Sequence, residues 1–140
     1  MADGLAEYRN LEINDADLDS ELSEQAAKYL FVAEKAVNVE MAYEAFKVQT
    51  AQLVAQLDSK IREDATESGK KITEAAITKE IERHPDFIKA QQALIAKRGA
   101  KELMRALRES WYMRKDLLIQ MAIKSRSEIE ALSASVRKAA

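Results

Sequence analysis

The residues of this chain best suited to binding chemistry are basic ones near its middle, in the stretch LDSKIREDATESG. Lys60 and Arg62 are two positions apart, which places them about 200° apart around a helix axis. They cannot form one flat patch, but both flank Ile61 if that residue packs inward. In a ring of identical copies such pairs would add up to a cationic band, which Lys70 and Lys71 would extend. Such a band suits phosphate groups, because each neutralised phosphate releases counterions.

The same stretch also has the composition of an ordinary solvated helix end. Glu63 and Asp64 follow the basic pair and oppose its charge, and Gly69 is suited to a helix C-cap. The choice between a solvated helix end and a phosphate-binding site depends on whether copies of the chain repeat around an axis.

A second basic feature is the stretch 97–126, which holds nine Lys or Arg residues and three acids. Four of these bases recur at spacings of four, four and three, and so share one helix face: Lys97, Lys101, Arg105 and Arg108. This face is either a cationic ridge for a nucleic acid or a face that pairs with an acidic neighbour. The first helix offers such neighbours in Glu34, Glu40 and Glu44.

The single tryptophan lies in the segment ESWYMRKDLL, among basic residues. Trp111 and Tyr112 flanked by bases could stack on the bases of a single strand. Trp111 also continues an apolar stripe, which favours a place in the core. The predicted core and oligomer contacts are Phe46, Leu53, Leu57, Leu107, Trp111, Leu118 and Met121.

Residues for catalysis are scarce. The chain has no cysteine and one histidine, and it contains no Gly-rich phosphate loop or nucleophile elbow. His84 precedes Pro85, where a capping role is favoured. Glu40 and Glu44 could face a metal within a bundle, but the histidines of a di-iron site are absent. We expect no enzymatic activity, no cofactor and no metal site.

The composition of the 140 residues indicates an all-α chain of domain size, since it includes only 3 Gly and 1 Pro. The net charge of -2 is unevenly distributed: residues 1–46 hold 11 acids and 3 bases, whereas residues 47–140 hold 13 acids and 19 bases. The lack of cysteine, of a secretory signal and of an uncharged membrane-length segment suits a cytoplasmic protein.

The hydrophobic periodicity predicts two long helices joined by a short one. Residues 1–17 are acidic and predicted to be poorly ordered. A long helix is expected from about Asp17–Ser23 onward, then a short helix from Glu74 to about Arg83, then one helix from about Asp86 to Val136. Residues 18–140 would form an antiparallel helical hairpin. Its apolar stripes are wider than one partner helix can cover, so we expect a homo-oligomer.

Several segments together resemble the UvsY-like phage recombination mediators. The Lys60-Ile61-Arg62 motif, followed by a polar loop with Gly69, resembles the family's Lys-x-Arg motif. Trp111 and Leu117-Leu118 fall at positions similar to its aromatic and paired leucines, and AIKSR at residues 122–126 resembles its closing-helix signature. The resemblance covers roughly residues 22–132.

This resemblance implies a protein of DNA recombination, repair and replication. Such a protein binds single-stranded DNA as a closed ring, six or seven copies for example, in the host cytoplasm. It helps to load a RecA-like recombinase onto strands covered by single-stranded-binding protein. Lys60 and Arg62 would contribute to strand binding, with Lys70 and Lys71 assisting. Glu63-Asp64-Ala65 replaces the family's aromatic segment, which leaves phosphate contact as the main expectation. The alternative is a structural or chaperone-like phage protein that oligomerises and holds a partner helix.

Overall fold

The computed structural model of the chain describes residues 4–140, and within them there is no β-strand. Two short 3-10 turns, Glu7–Arg9 and Asp15–Asp17, precede three α-helices. These are α1 (Leu18–Glu67), α2 (Glu74–Arg83) and α3 (Pro85–Ala139). The predicted all-α class with a short linking helix is confirmed. No helix in the described residues has an apolar stretch long enough to cross a membrane.

Local capping signals set the helix boundaries. The side chain of Asp17 accepts a hydrogen bond from the backbone N–H of Ser20 (3.3 Å) at the start of α1. At its end Gly69 adopts a left-handed φ of 68°, and the N–H of Lys70 donates to the carbonyl of Ala65 (3.0 Å). That bond closes a Schellman motif, in which glycine carries no steric penalty. The first long helix therefore ends at a well-defined stop.

The stop between α2 and α3 is equally local. The side chain of Thr73 caps α2 by accepting from the N–H of Ala76 (3.2 Å). His84 leaves the helical conformation, and its Nδ1 accepts from the N–H of Asp86 (3.2 Å) at the start of α3. Pro85 occupies the first helical position, where its missing N–H leaves no hydrogen bond unmade. The capping role expected for His84 is confirmed, and α3 continues through Gly99 as one helix.

The described part of the chain divides into two compact units. The first unit combines the residues up to Ala36 with those from Met104 onward, and the second is Val37–Leu103. In the first unit Trp111 and Leu118 of α3 and Val32 of α1 are fully buried. The N-terminal portion of α1 and the C-terminal portion of α3 therefore form the core of this unit.

The core of the second unit lies between α1, α2 and the start of α3. It consists of Leu57, Ile77 and Ile81, against which five half-buried residues pack: Leu53, Val54, Ile61, Ile72 and Phe87. Farther along, Phe46 and Tyr43 of α1 meet residues 97–101 of α3. The earlier residue of α1, Tyr43, contacts the later residue of α3, Lys101, and Phe46 contacts Lys97. The two helices are therefore antiparallel in this unit, as predicted.

The N-terminal segment differs from its prediction. Residues 1–3 of the predicted poorly ordered stretch lie outside the described residues, but the rest of it packs within the first unit. Tyr8 stacks on Phe31 with ring centroids 4.5 Å apart, and its carbonyl accepts from the indole N–H of Trp111 (2.8 Å). The segment is ordered because its few apolar and carbonyl groups meet partners far away in the sequence.

Candidate nucleic-acid interface

The last turns of α1 place the basic pair on either side of a packed residue. Ile61 is half-buried against the core of the second unit, while Lys60 and Arg62 are both exposed. This is the geometry that the helical spacing predicted. The two cations diverge and do not form a joint patch within one chain.

Arg62 is held by two acids. Its Nε lies 2.7 Å from Oδ1 of Asp58, and its Nη2 lies 2.7 Å from Oε2 of Glu74. These bonds raise the pKa of Arg62, and the guanidinium in turn lowers the pKa of the Glu74 carboxyl. The contact with Glu74 ties the end of α1 to the first turn of α2. The sequence analysis identified neither partner of Arg62. The pair with Asp58 could have been found from its i−4 spacing, whereas no local spacing indicates the pair with Glu74.

Three lysines near the α1–α2 connection (residues 68–73) are more accessible than Arg62. Lys60, Lys70 and Lys71 are exposed and make no ion pair within residues 4–140. The stretch 58–74, however, contains four bases and five acids. One copy therefore presents separate lysines on a background of about zero net charge, and firm phosphate binding requires several copies.

The predicted ridge faces α1 over part of its length. In the second unit the ammonium of Lys97 lies 5.3 Å from the ring centroid of Phe46, and that of Lys101 lies 4.5 Å from the ring centroid of Tyr43. These contacts with α1 are cation–π interactions, whereas one of the two sequence interpretations was pairing with the acids of α1. Lys101 also pairs with Glu102 on its own helix at 3.6 Å. Glu44, one of the expected partners, instead pairs with Lys47 on its own helix at 3.3 Å.

Trp111 and Tyr112 have opposite environments in the first unit. Trp111 is 2% exposed, so the prediction that it belongs to the core is confirmed. Tyr112 is 54% exposed, and it lines a shallow pocket together with Tyr29, Arg108, Glu109 and Met113. The aromatic residue available to a ligand is therefore Tyr112.

Arg114 is a buried cation that sequence reasoning did not assign to the core. It is 4% exposed, and its guanidinium donates to Oε1 of Gln25 (2.8 Å), to Oε2 of Glu21 (2.5 Å) and to the carbonyls of Leu11 (3.1 Å) and Glu12 (2.8 Å). The bond from the Arg114 guanidinium to Glu21 lowers the pKa of that carboxyl. Arg114 fastens the N-terminal segment and is not available to a strand.

The predicted core and oligomer residues divide into two groups. Leu57, Trp111 and Leu118 are buried within one chain, whereas the other four are half-buried: Phe46, Leu53, Leu107 and Met121. Many large apolar residues remain exposed on α1 and α3. A single chain therefore leaves much apolar surface in contact with water.

Residues 4–140 contain no cluster of three or more His, Cys, Asp or Glu side chains that could hold a metal ion. No protein-family model matches the chain, and comparisons with curated proteins and with solved structures found no match. The resemblance to UvsY-like mediators therefore depends on the quoted sequence motifs alone.

Proposed function

We propose that the protein is a non-enzymatic recombination mediator that binds single-stranded DNA as a homo-oligomer. It would promote loading of a RecA-like recombinase onto strands covered by single-stranded-binding protein, in the cytoplasm of a host cell. The observation that carries the proposal is the set of exposed, unpaired lysines at the α1–α2 connection: Lys60, Lys70 and Lys71. They occur in the segment that resembles the strand-binding motif of the family.

Arg62 belongs to the same proposed site in a different role. Its side chain is 45% exposed, so it can still approach a phosphate, but its two acidic partners already use part of its donor capacity. It holds the α1–α2 connection in place while the lysines supply the contacts that respond to salt.

Exposed apolar stripes support the self-association that this proposal needs. In the second unit the exposed apolar residues Ile88, Ile95 and Leu103 follow one another along one side of α3. Gly99 lies between the last two of them at spacings of four. In the first unit Met113 and Leu117 of α3 are also exposed, four positions apart. A stripe with this period is typical of a helix that packs against a further helix.

A second exposed stripe of the second unit lies on α1 and consists of Val37, Met41 and Val48. The spacings of four and seven keep these residues on one side of the helix. Monomeric proteins rarely expose long contiguous apolar surface, so both stripes favour contact with further copies.

The test is a titration of fluorescent poly-dT with the full-length protein at low and moderate salt. We expect salt-sensitive binding that weakens in the triple variant Lys60→Ala/Lys70→Ala/Lys71→Ala. Each lost phosphate contact makes the negative slope of log K against log salt shallower by about 0.7 for single strands. The matched control is Lys89→Ala, which removes an exposed lysine of α3 and should leave the slope unchanged.

The alternative, a structural or chaperone-like phage protein that holds a partner helix, is favoured by the same apolar stripes. It predicts an oligomer that binds no poly-dT even at low salt. That result would exclude the mediator function. Binding with an unaltered slope in the triple variant would place the strand elsewhere on the protein.

A further inference from the structure

We propose that Tyr112 is a base-stacking residue, which with Tyr29 forms a second contact site for single-stranded nucleic acid. The proposal rests on the proposed function and adds a contact to nucleobases in the first unit, where the α1–α2 connection offers contacts to phosphates only. No aromatic residue occurs between Arg62 and Phe87, so stacking must come from another part of the chain.

Tyr112 is available for stacking because the neighbouring Trp111, and not Tyr112, packs into the core. Consecutive helical residues point about 100° apart, so burial of Trp111 in the core turns Tyr112 out of it. The ring of Tyr29 lies beside it, with centroids 6.2 Å apart and planes inclined by 59°. Despite this contact, 54% of Tyr112 remains exposed. The two rings form an aromatic surface at the rim of a pocket.

Cations accompany this aromatic surface. The ammonium of Lys115 lies 4.2 Å from the ring centroid of Tyr112, and Arg108 lines the same pocket. Two acids balance them: Glu109 lines the pocket, and Asp116 lies 3.6 Å from Lys115. Because the local charge is balanced, the contribution of this site to affinity comes from stacking and depends little on salt.

The ligand class follows from this chemistry. An exposed tyrosine pair with adjacent cations suits an unpaired base, which offers a free π-face, whereas the bases of a duplex are already stacked on each other. Stacking tolerates every base, so the site should bind single strands with little sequence preference. Tyr112 and the lysines of the α1–α2 connection therefore act on different parts of the strand.

The experiment compares two fluorescent probes on the full-length protein: poly-dT and an abasic oligonucleotide of the same length. We expect Tyr112→Leu to weaken poly-dT binding by about 5- to 160-fold, since stacking on one base contributes roughly that factor. The slope against salt and the weak binding of the abasic probe should stay unchanged. Tyr112→Phe should retain affinity, as should the control Ile119→Ala, an exposed residue two turns away on the same side of α3.

Three outcomes would overturn the proposal. If the wild-type protein binds poly-dT and Tyr112→Leu binds equally well, the site is wrong while the proposed function stands. If Tyr112→Leu changes the mass of the protein in light scattering, Tyr112 is a contact between copies rather than a contact to bases. If no form of the protein binds either probe, the proposed function itself fails.

Discussion

The basic residues of the chain differ in how strongly the fold engages them. Arg62 and Arg114 each meet acids or carbonyls in defined geometry, as suits the planar, multidentate guanidinium. Lys60, Lys70 and Lys71 meet no acid in the described part of the chain. The arginines therefore serve the fold, and the lysines remain as point charges for a ligand.

Replacement of Arg114 by leucine should strongly destabilise the first unit. Removal of the guanidinium leaves the carboxylate of Glu21 and the amide of Gln25 without their charged partner. Loss of one member of a buried ion pair costs about 3–5 kcal/mol. Urea unfolding followed by circular dichroism would measure this change in the free energy of unfolding.

The control for this prediction is Arg108→Leu, at a half-buried position of the same helix. Its free energy of unfolding should change by less than about 1 kcal/mol. Equal stability of the Arg114 variant and the wild-type protein would contradict the role of Arg114 as an anchor.

The limits of residue-level prediction are visible in Trp111 and Arg114. The apolar stripe correctly assigned Trp111 to the core, because its neighbours along the helix repeat at spacings of three and four. Arg114 lies on the same stripe, three positions later, yet its partners are 89 to 103 residues away in the sequence. No local pattern indicates which distant groups will satisfy a buried charge.

At the scale of elements, the helix boundaries were predictable because their causes are local. Gly69, Pro85 and the polar residues before α2 mark the ends of helices within a few positions, and the predicted α2 (Glu74 to about Arg83) is confirmed. The N-terminal segment was wrongly predicted as poorly ordered because its order depends on Phe31 and Trp111, which composition does not reveal.

The two helix-associated glycines should respond to substitution in opposite directions. Gly69→Ala should lower stability by about 1–2 kcal/mol, because φ is 68° there and a Cβ is strained in the left-handed region. Gly99→Ala should raise stability by about 1 kcal/mol, since it removes a glycine from the interior of α3.

Open space surrounds both positions, because a Cβ at either glycine would meet no atom within 4 Å. Within one chain the two positions therefore differ in backbone conformation and not in the space available to a Cβ. Thermal unfolding of the two variants beside the wild-type protein would measure both effects, and a change of the same sign in both would contradict the Schellman stop at Gly69.

At the scale of the whole molecule, the proposed function depends on repetition. One copy carries a net charge of -2, and its α1–α2 connection is close to neutral. Its exposed lysines can bind a strand firmly only if several copies present them together, since weak phosphate contacts add up. The exposed stripes on α1 and α3 provide the apolar surface through which copies would associate. A prediction from sequence could reach the excess of apolar surface but not the number of copies.

The most direct test of this dependence is a light-scattering mass measured for the full-length protein with and without poly-dT. We predict a multiple of 15.7 kDa that binds the oligonucleotide. The variant Ile95→Glu/Leu103→Glu, which charges the exposed stripe of α3 away from the Tyr112 pocket, should give a folded monomer that has lost binding although every lysine of the site remains. A wild-type monomer of 15.7 kDa, or a monomeric variant that binds as tightly as the oligomer, would contradict the account.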